Sequence, residues 1–254
     1  MADFQESFLA KNVAAFHELV GLCMDMKRIY IPEHPSLQIE ALVALLSASR
    51  SALEEAKENK TRLAKALRLR DNSFHPIAAL ATKVLFELSE ANASPKAIVE
   101  ARNHARYIQS NCSQRSQKKA ADKKNNSVYK NDRSAVAPNH AKIIDQFARL
   151  IQTVTIEPNY LPSHLDLKVI MLNLVLQELR SKHTAVVFAE LSLNNARLSC
   201  TQLFYGHNGL IQTANEVIDY ITNVTRSSGT IYKKVSALRF NQPSEKRMTF
   251  VSIK

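Results

Sequence analysis

The chain has 254 residues, 45% of them hydrophobic and 22% charged, with a formal net charge of +11, four glycines and no tryptophan. So few glycines count against phosphate-cradling and dinucleotide-binding loops and against an all-β plan, leaving an all-α fold with room for two cores of about 100 residues each. The longest apolar run, Val169 to Leu179, is interrupted by Asn173 and Gln177 and is far shorter than the ~18 residues a membrane span requires; with an acidic, non-secretory N-terminus, this sets the expectation of a cytoplasmic protein.

From Asp3 to Ile29, apolar side chains at Leu9, Val13, Phe16, Leu19, Val20 and Cys23 predict an amphipathic helix. It stops at Tyr30-Ile31-Pro32-Glu33-His34-Pro35-Ser36-Leu37, where proline removes an amide donor and disfavours helical geometry at the residue before it. Ser36 to Asn72 contains neither glycine nor proline, and Leu42, Leu46, Leu53, Ala56, Leu63, Leu67 and Phe74 keep a seven-residue phase. This predicts one long helix; the alternative is a turn near Lys57 to Lys60 and a four-helix bundle. Helices over Ile77 to Ala91 and from Pro95 to about Ile108 follow.

Residues 110–138 carry seven basic and two acidic side chains and few apolar ones, which predicts a flexible basic linker. The pattern then begins again. A helix over Asn139 to Ile156 leads to Tyr160-Leu161-Pro162-Ser163-His164-Leu165-Asp166-Leu167, 130 residues after its first appearance. The same offset pairs Leu42 with Leu172, Leu46 with Leu176 and Phe74 with Phe204. A long helix over Asp166 to Tyr205, opened by a capping box of Ser163 and Asp166, and shorter ones over Leu210 to Val224 and from Thr230 to Phe240 complete the second copy. An internal duplication therefore predicts two tandem antiparallel helical bundles of three long or four shorter helices each. Their expected limits are residues 1–109 and 139–242, with the linker at 110–138 and a tail at 243–254.

The Tyr-x-Pro-x-x-x-x-Leu loop, the leucine-rich helix after it and the Ala196, Arg197, Leu203, Phe204 segment resemble a group of bacterial tandem-repeat helical proteins that has no assigned function. The resemblance implies the helical fold and no catalytic residues. It is most complete in the second copy; in the first, Asp71 and Asn72 stand where Thr201 and Gln202 stand in the second.

Tyr30, Pro32, His34 and Leu37, with Tyr160, Pro162, His164 and Leu167, are expected to be structural, the tyrosine rings packing over a bundle end while their hydroxyls reach a carbonyl or water. A repeated histidine invites a ligand reading, but no Glu-x-x-His pair accompanies it, so no metal and no cofactor is expected. Nucleophile-elbow, phosphate-loop and Cys-x-x-Cys motifs are missing from the sequence, so no enzyme is expected. Cys23 and Cys200 read as core thiols and Cys112 as a linker thiol. Basic side chains make the one positive functional signal: Arg62, Lys65, Arg68 and Arg70 on the first long helix, and Arg115, Lys118, Lys119, Lys123, Lys124, Lys130 and Arg133 in the linker. The reading is an interaction or scaffold protein with an unidentified protein partner; the alternative is sequence-independent nucleic-acid binding through these cations.

Overall fold

The computed structural model describes residues 2–121, 139–225 and 229–240, with side chains over 7–112, 139–225 and 229–240. Among these residues the fold is all-helical: α1 (Ala2–Asp25), α2 (Ile39–Phe74), α3 (Ile77–Glu90), α4 (Pro95–Ala121), α5 (His140–Ile156), α6 (Val169–Tyr205), α7 (Leu210–Val224) and α8 (Thr230–Ala237). Short 3-10 turns cover Lys27–Ile29, Pro35–Leu37 and Leu165–Leu167.

Both long helices are unbroken, as the seven-residue phase predicts. The first ends where Pro76 restricts His75. The second ends at Gly206, whose N–H donates to the Gln202 carbonyl at 2.8 Å, an approach so close that a Cβ there would collide with the same oxygen. Each long helix is preceded by the same clasp. The Tyr30 hydroxyl donates to the Leu37 carbonyl at 2.6 Å, and the Tyr160 hydroxyl donates to the Leu167 carbonyl at 2.9 Å. Inside each clasp, the N–H of Leu37 or Leu167 donates to the carbonyl of His34 or His164. The capping box expected at Ser163 does not form, because the turn begins one residue later with His164 at its N-cap position.

The chain folds as two compact units, one formed by residues 1–61 with 191–254 and the other by residues 62–190. These are not the expected bundles at 1–109 and 139–242: each unit takes the first half of one repeat and the second half of the other. The physical reason lies in the long helices. A helix of 36 residues is about 54 Å long. The segments after α2 therefore cannot return onto α1, and they pack on α5 instead.

In the first unit, α7 lies on α1, α8 and the Pro35–Leu37 turn, around a core that includes Phe16, Leu19, Leu42, Phe204, Leu210 and Ile221. Tyr30 and Tyr220 meet edge to face at 5.3 Å, and the Tyr220 hydroxyl accepts from the Ile31 N–H at 3.2 Å. The Cys200 thiol, on the last turns of α6, donates to the Ala52 carbonyl of α2 at 3.2 Å.

In the second unit, α4 packs antiparallel along α5 and against α3, around Ile77, Leu88, Ile108, Phe147, Leu150, Leu172 and Leu179. At one end of the α4/α5 pair the Ser94 hydroxyl donates to Glu157 at 3.0 Å. In the middle His104 meets Gln146 at 2.7 Å, and toward the other end Lys142 stands 4.9 Å over the Tyr107 ring. Helix α4 runs on to Ala121, so residues 110–121 of the expected linker are helical. Residues 122–138 lie outside the described residues. Cys112 is therefore on a helix and packs against this core.

Candidate interaction faces on the long helices

The clasp residues occupy structural positions. Tyr30, Leu37, Tyr160 and Leu167 are buried at 4, 8, 6 and 3% exposure. Pro32 is buried beside them and Pro162 half-buried. Burial holds the Tyr160 hydroxyl neutral, its pKa pushed up to about 12, chiefly by desolvation. Tyr30 is pushed higher still, first by desolvation and then by the neighbouring Cys23 thiol. His34 and His164 are exposed and make no side-chain cap; the His34 Nδ1 lies 2.7 Å from the Ser36 hydroxyl.

An open depression of about 480 Å³ beside the first clasp is lined by His34, Leu37, His207, Asn208, Gln212 and Glu216. Three of its polar groups are linked, since Gln212 accepts from the Asn208 N–H at 3.0 Å and donates to Glu216 at 2.8 Å. Among the described residues, no group of three or more histidine, cysteine or acidic side chains converges as a metal site. Cys23 and Cys200 are buried in the first core, and Cys23 is pushed up to about 11 by desolvation, so it stays a thiol near neutral pH.

The cations divide. Arg62, Lys65 and Arg68 are exposed on α2. Arg70 is not part of that face: its side chain is 13% exposed, and it pairs with Asp71 at 3.3 Å. Arg115, Lys118 and Lys119 fall in the last turns of α4. Lys123, Lys124, Lys130 and Arg133 lie outside the described residues.

The second unit also brings two histidines together. His140, at the start of α5, meets Phe74 edge to face at 4.8 Å and stacks with His183 of α6 at 6.3 Å. The Arg70 Nε and the His183 Nδ1 are each buried without a hydrogen-bond partner. At the 130-residue offset the first unit has Leu53 and Cys200 in place of His183 and Arg70, both buried, so the duplicated position tolerates an apolar filling.

The larger contrast between the copies is on the outer faces of the long helices. On α6 the positions Ile170, Leu174, Gln177, Ser181, Thr184, Phe188, Leu191, Asn195 and Leu198 follow alternating steps of four and three residues, and all nine are exposed. None carries a charge. Ile170 and Phe188 are 76 and 64% exposed, and Leu174, Leu191 and Leu198 are each more than half exposed. A shallow groove of about 440 Å³ runs beside Ile170, Leu174 and Gln177. The equivalent positions of α2 read Glu40, Ala44, Ser47, Ser51, Glu54, Glu58, Thr61, Lys65 and Arg68, also all exposed. At positions related by the 130-residue offset, α2 thus carries a charged outer surface and α6 an uncharged one rich in exposed apolar side chains.

Reading α6 for its inward phase alone hides this face. The signal was nonetheless present in the sequence: a second apolar stripe two residues out of step with Leu172, Leu176 and Leu179, where the first copy has charges. Among the described residues, no helix is long and apolar enough to cross a membrane. Comparison with protein-family models, curated proteins and solved structures finds no match.

Proposed function

We propose that the protein is a non-enzymatic helical interaction module and that the outer face of α6 is its contact surface. One observation carries this reading: nine consecutive outward positions of α6 are exposed and uncharged, while the same nine positions of α2 include five charged side chains. An apolar stripe in steps of three and four residues is the surface onto which another amphipathic helix docks. The inward positions of α6, from Leu172 to Phe204, supply the core, so the outer stripe is not needed for folding.

The test is selection of helical peptides against the purified chain, with the double variant Leu174→Glu, Phe188→Glu as the counter-target. Enrichment of peptides with three-four apolar spacing that fail to bind the variant supports the reading. Absence of any binder sensitive to these two positions overturns it.

A second reading, nucleic-acid binding, is favoured by the exposure of Arg62, Lys65 and Arg68 at three-residue steps. Fluorescence anisotropy with labelled duplex and single-stranded DNA and RNA tests it. Salt-sensitive binding weakened by changing these three cations to glutamine supports it, and no binding at low salt removes it.

A further inference from the structure

We infer that the helix that docks on the outer face of α6 is the same face of a second copy of this chain, in a parallel, in-register pair. The inference rests on the reading of α6 as a contact surface and names its partner.

Pairing the stripe with itself satisfies every position in kind. With Ile170, Gln177, Thr184, Leu191 and Leu198 at the d positions of a heptad, Leu174, Ser181, Phe188 and Asn195 fall at the a positions. A parallel dimer sets apolar side chains against apolar ones and Gln177, Ser181 and Thr184 each against its own counterpart. Asn195 then sits at an a position, where a single asparagine fixes parallel register by amide pairing across the seam. An antiparallel pair centred on Thr184 would instead place Phe188 over Ser181 and Leu191 over Gln177, stranding polar groups against apolar ones.

Charge points the same way. The α6 stripe has no charge to repel its copy, whereas α2 carries Glu54 and Glu58 on its equivalent stripe, where a self-pair would set like charges together. From Ile170 to Leu198 the seam is about 42 Å long, four heptads, which meets the length a two-stranded seam needs. A strip of that length and about 10 Å wide covers roughly 400 Å² on each partner. That is below the area of permanent dimers and corresponds to reversible association.

Sedimentation equilibrium across one to several hundred micromolar tests the pairing, alongside the variant Leu174→Glu, Phe188→Glu and the single substitutions Ser181→Cys, Thr184→Cys and Asn195→Cys. The expected result is a weight-average mass rising from 28.5 kDa toward twice that value in the natural chain. The double variant should stay at the monomer mass with unchanged helical circular dichroism. All three new cysteines should give interchain disulfides above the natural chain's own background.

A natural chain that stays monomeric over the whole range overturns the inference, as does a double variant that associates like the natural chain. Cross-linking confined to Thr184→Cys overturns the parallel arrangement. A monomeric chain that still selects face-dependent peptides would leave α6 a contact surface for a different helix, which separates failure of the dimer from failure of the interaction reading.

Discussion

Separating the two repeats at the peptide bonds between 121 and 139 should leave neither half able to fold, because each half holds only part of each core. The first core has 23 buried apolar side chains, 14 of them before residue 110 and nine after residue 138. The second has 20, of which nine come from the first repeat and eleven from the second. Removing the smaller contribution from either core strips nine side chains and the partners they cover. At roughly 1 kcal/mol each, averaging alanines with larger residues, this costs about 9 kcal/mol per core. Both cores together lose about 18 kcal/mol, more than the 5–15 kcal/mol by which a typical domain is stable. The assay is circular dichroism and thermal melting of fragments 1–121 and 139–254, produced separately and then mixed. Each alone should lack a cooperative melt, and the equimolar mixture should regain helicity and melt as one transition. A fragment that melts cooperatively by itself, with the helicity of half the intact chain, would refute the interleaved reasoning and restore two tandem bundles.

The clasps predict that Tyr160→Phe, which keeps ring volume but removes the donor to the Leu167 carbonyl, destabilises by about 1–2 kcal/mol in urea melts. Tyr220→Phe, whose hydroxyl serves an exposed amide, should cost less than about 1 kcal/mol. Stability should also fall at high pH. The Tyr160 phenol ionises near 10 in the unfolded chain and about 12 in the folded one, so its contribution is complete below pH 10 and is lost as pH rises through 12. The loss amounts to roughly 2–3 kcal/mol, and alkaline titration of Tyr160→Phe should lack that component. His183→Leu, which installs the residue the first repeat carries at Leu53, should stabilise by about 1 kcal/mol in thermal melts by removing a buried nitrogen without a partner. Gly206→Ala should destabilise by about 1–3 kcal/mol in the same measurement, because its Cβ meets backbone and not a movable side chain.

The long helices and the loops that precede them were legible in the sequence because each is a local property: a seven-residue phase without breakers, or a proline at a fixed distance from a tyrosine. The pairing of segments into units was not. Leu42 and Leu172 occupy equivalent places in the repeat, and nothing in their spacing distinguishes a partner in the same copy from one in the other. Helix continuity decided it, and continuity left the inward phase of α2 unchanged whether or not the chain turned near Lys57. Helix α4 outran its expected end because Ser110 to Ala121 contains no proline or glycine to stop it, even though its composition is polar. Among the candidate site residues, Arg62, Lys65 and Arg68 were placed on a surface by their spacing. Arg70 followed the inward phase of Phe74, four residues on, toward the core. The pair of His140 and His183 was invisible, since 43 residues and a change of helix separate them and no local pattern brings them together.

An interleaved fold has a consequence for how the chain is made. The ribosome delivers residues 1–109 first, but the first unit waits for Phe204, Leu210 and Ile221, and the second for Phe147, Leu172 and Leu179. At roughly 10 residues per second, about ten seconds pass between the completion of the first repeat and the arrival of the last helices its apolar faces require. During that interval the nascent first repeat holds Phe16, Leu19, Ile77 and Leu88 under only part of their final cover. Any slowing of translation in the second half of the message lengthens that interval, so the yield of folded protein should depend on codon usage after residue 139 more than before it.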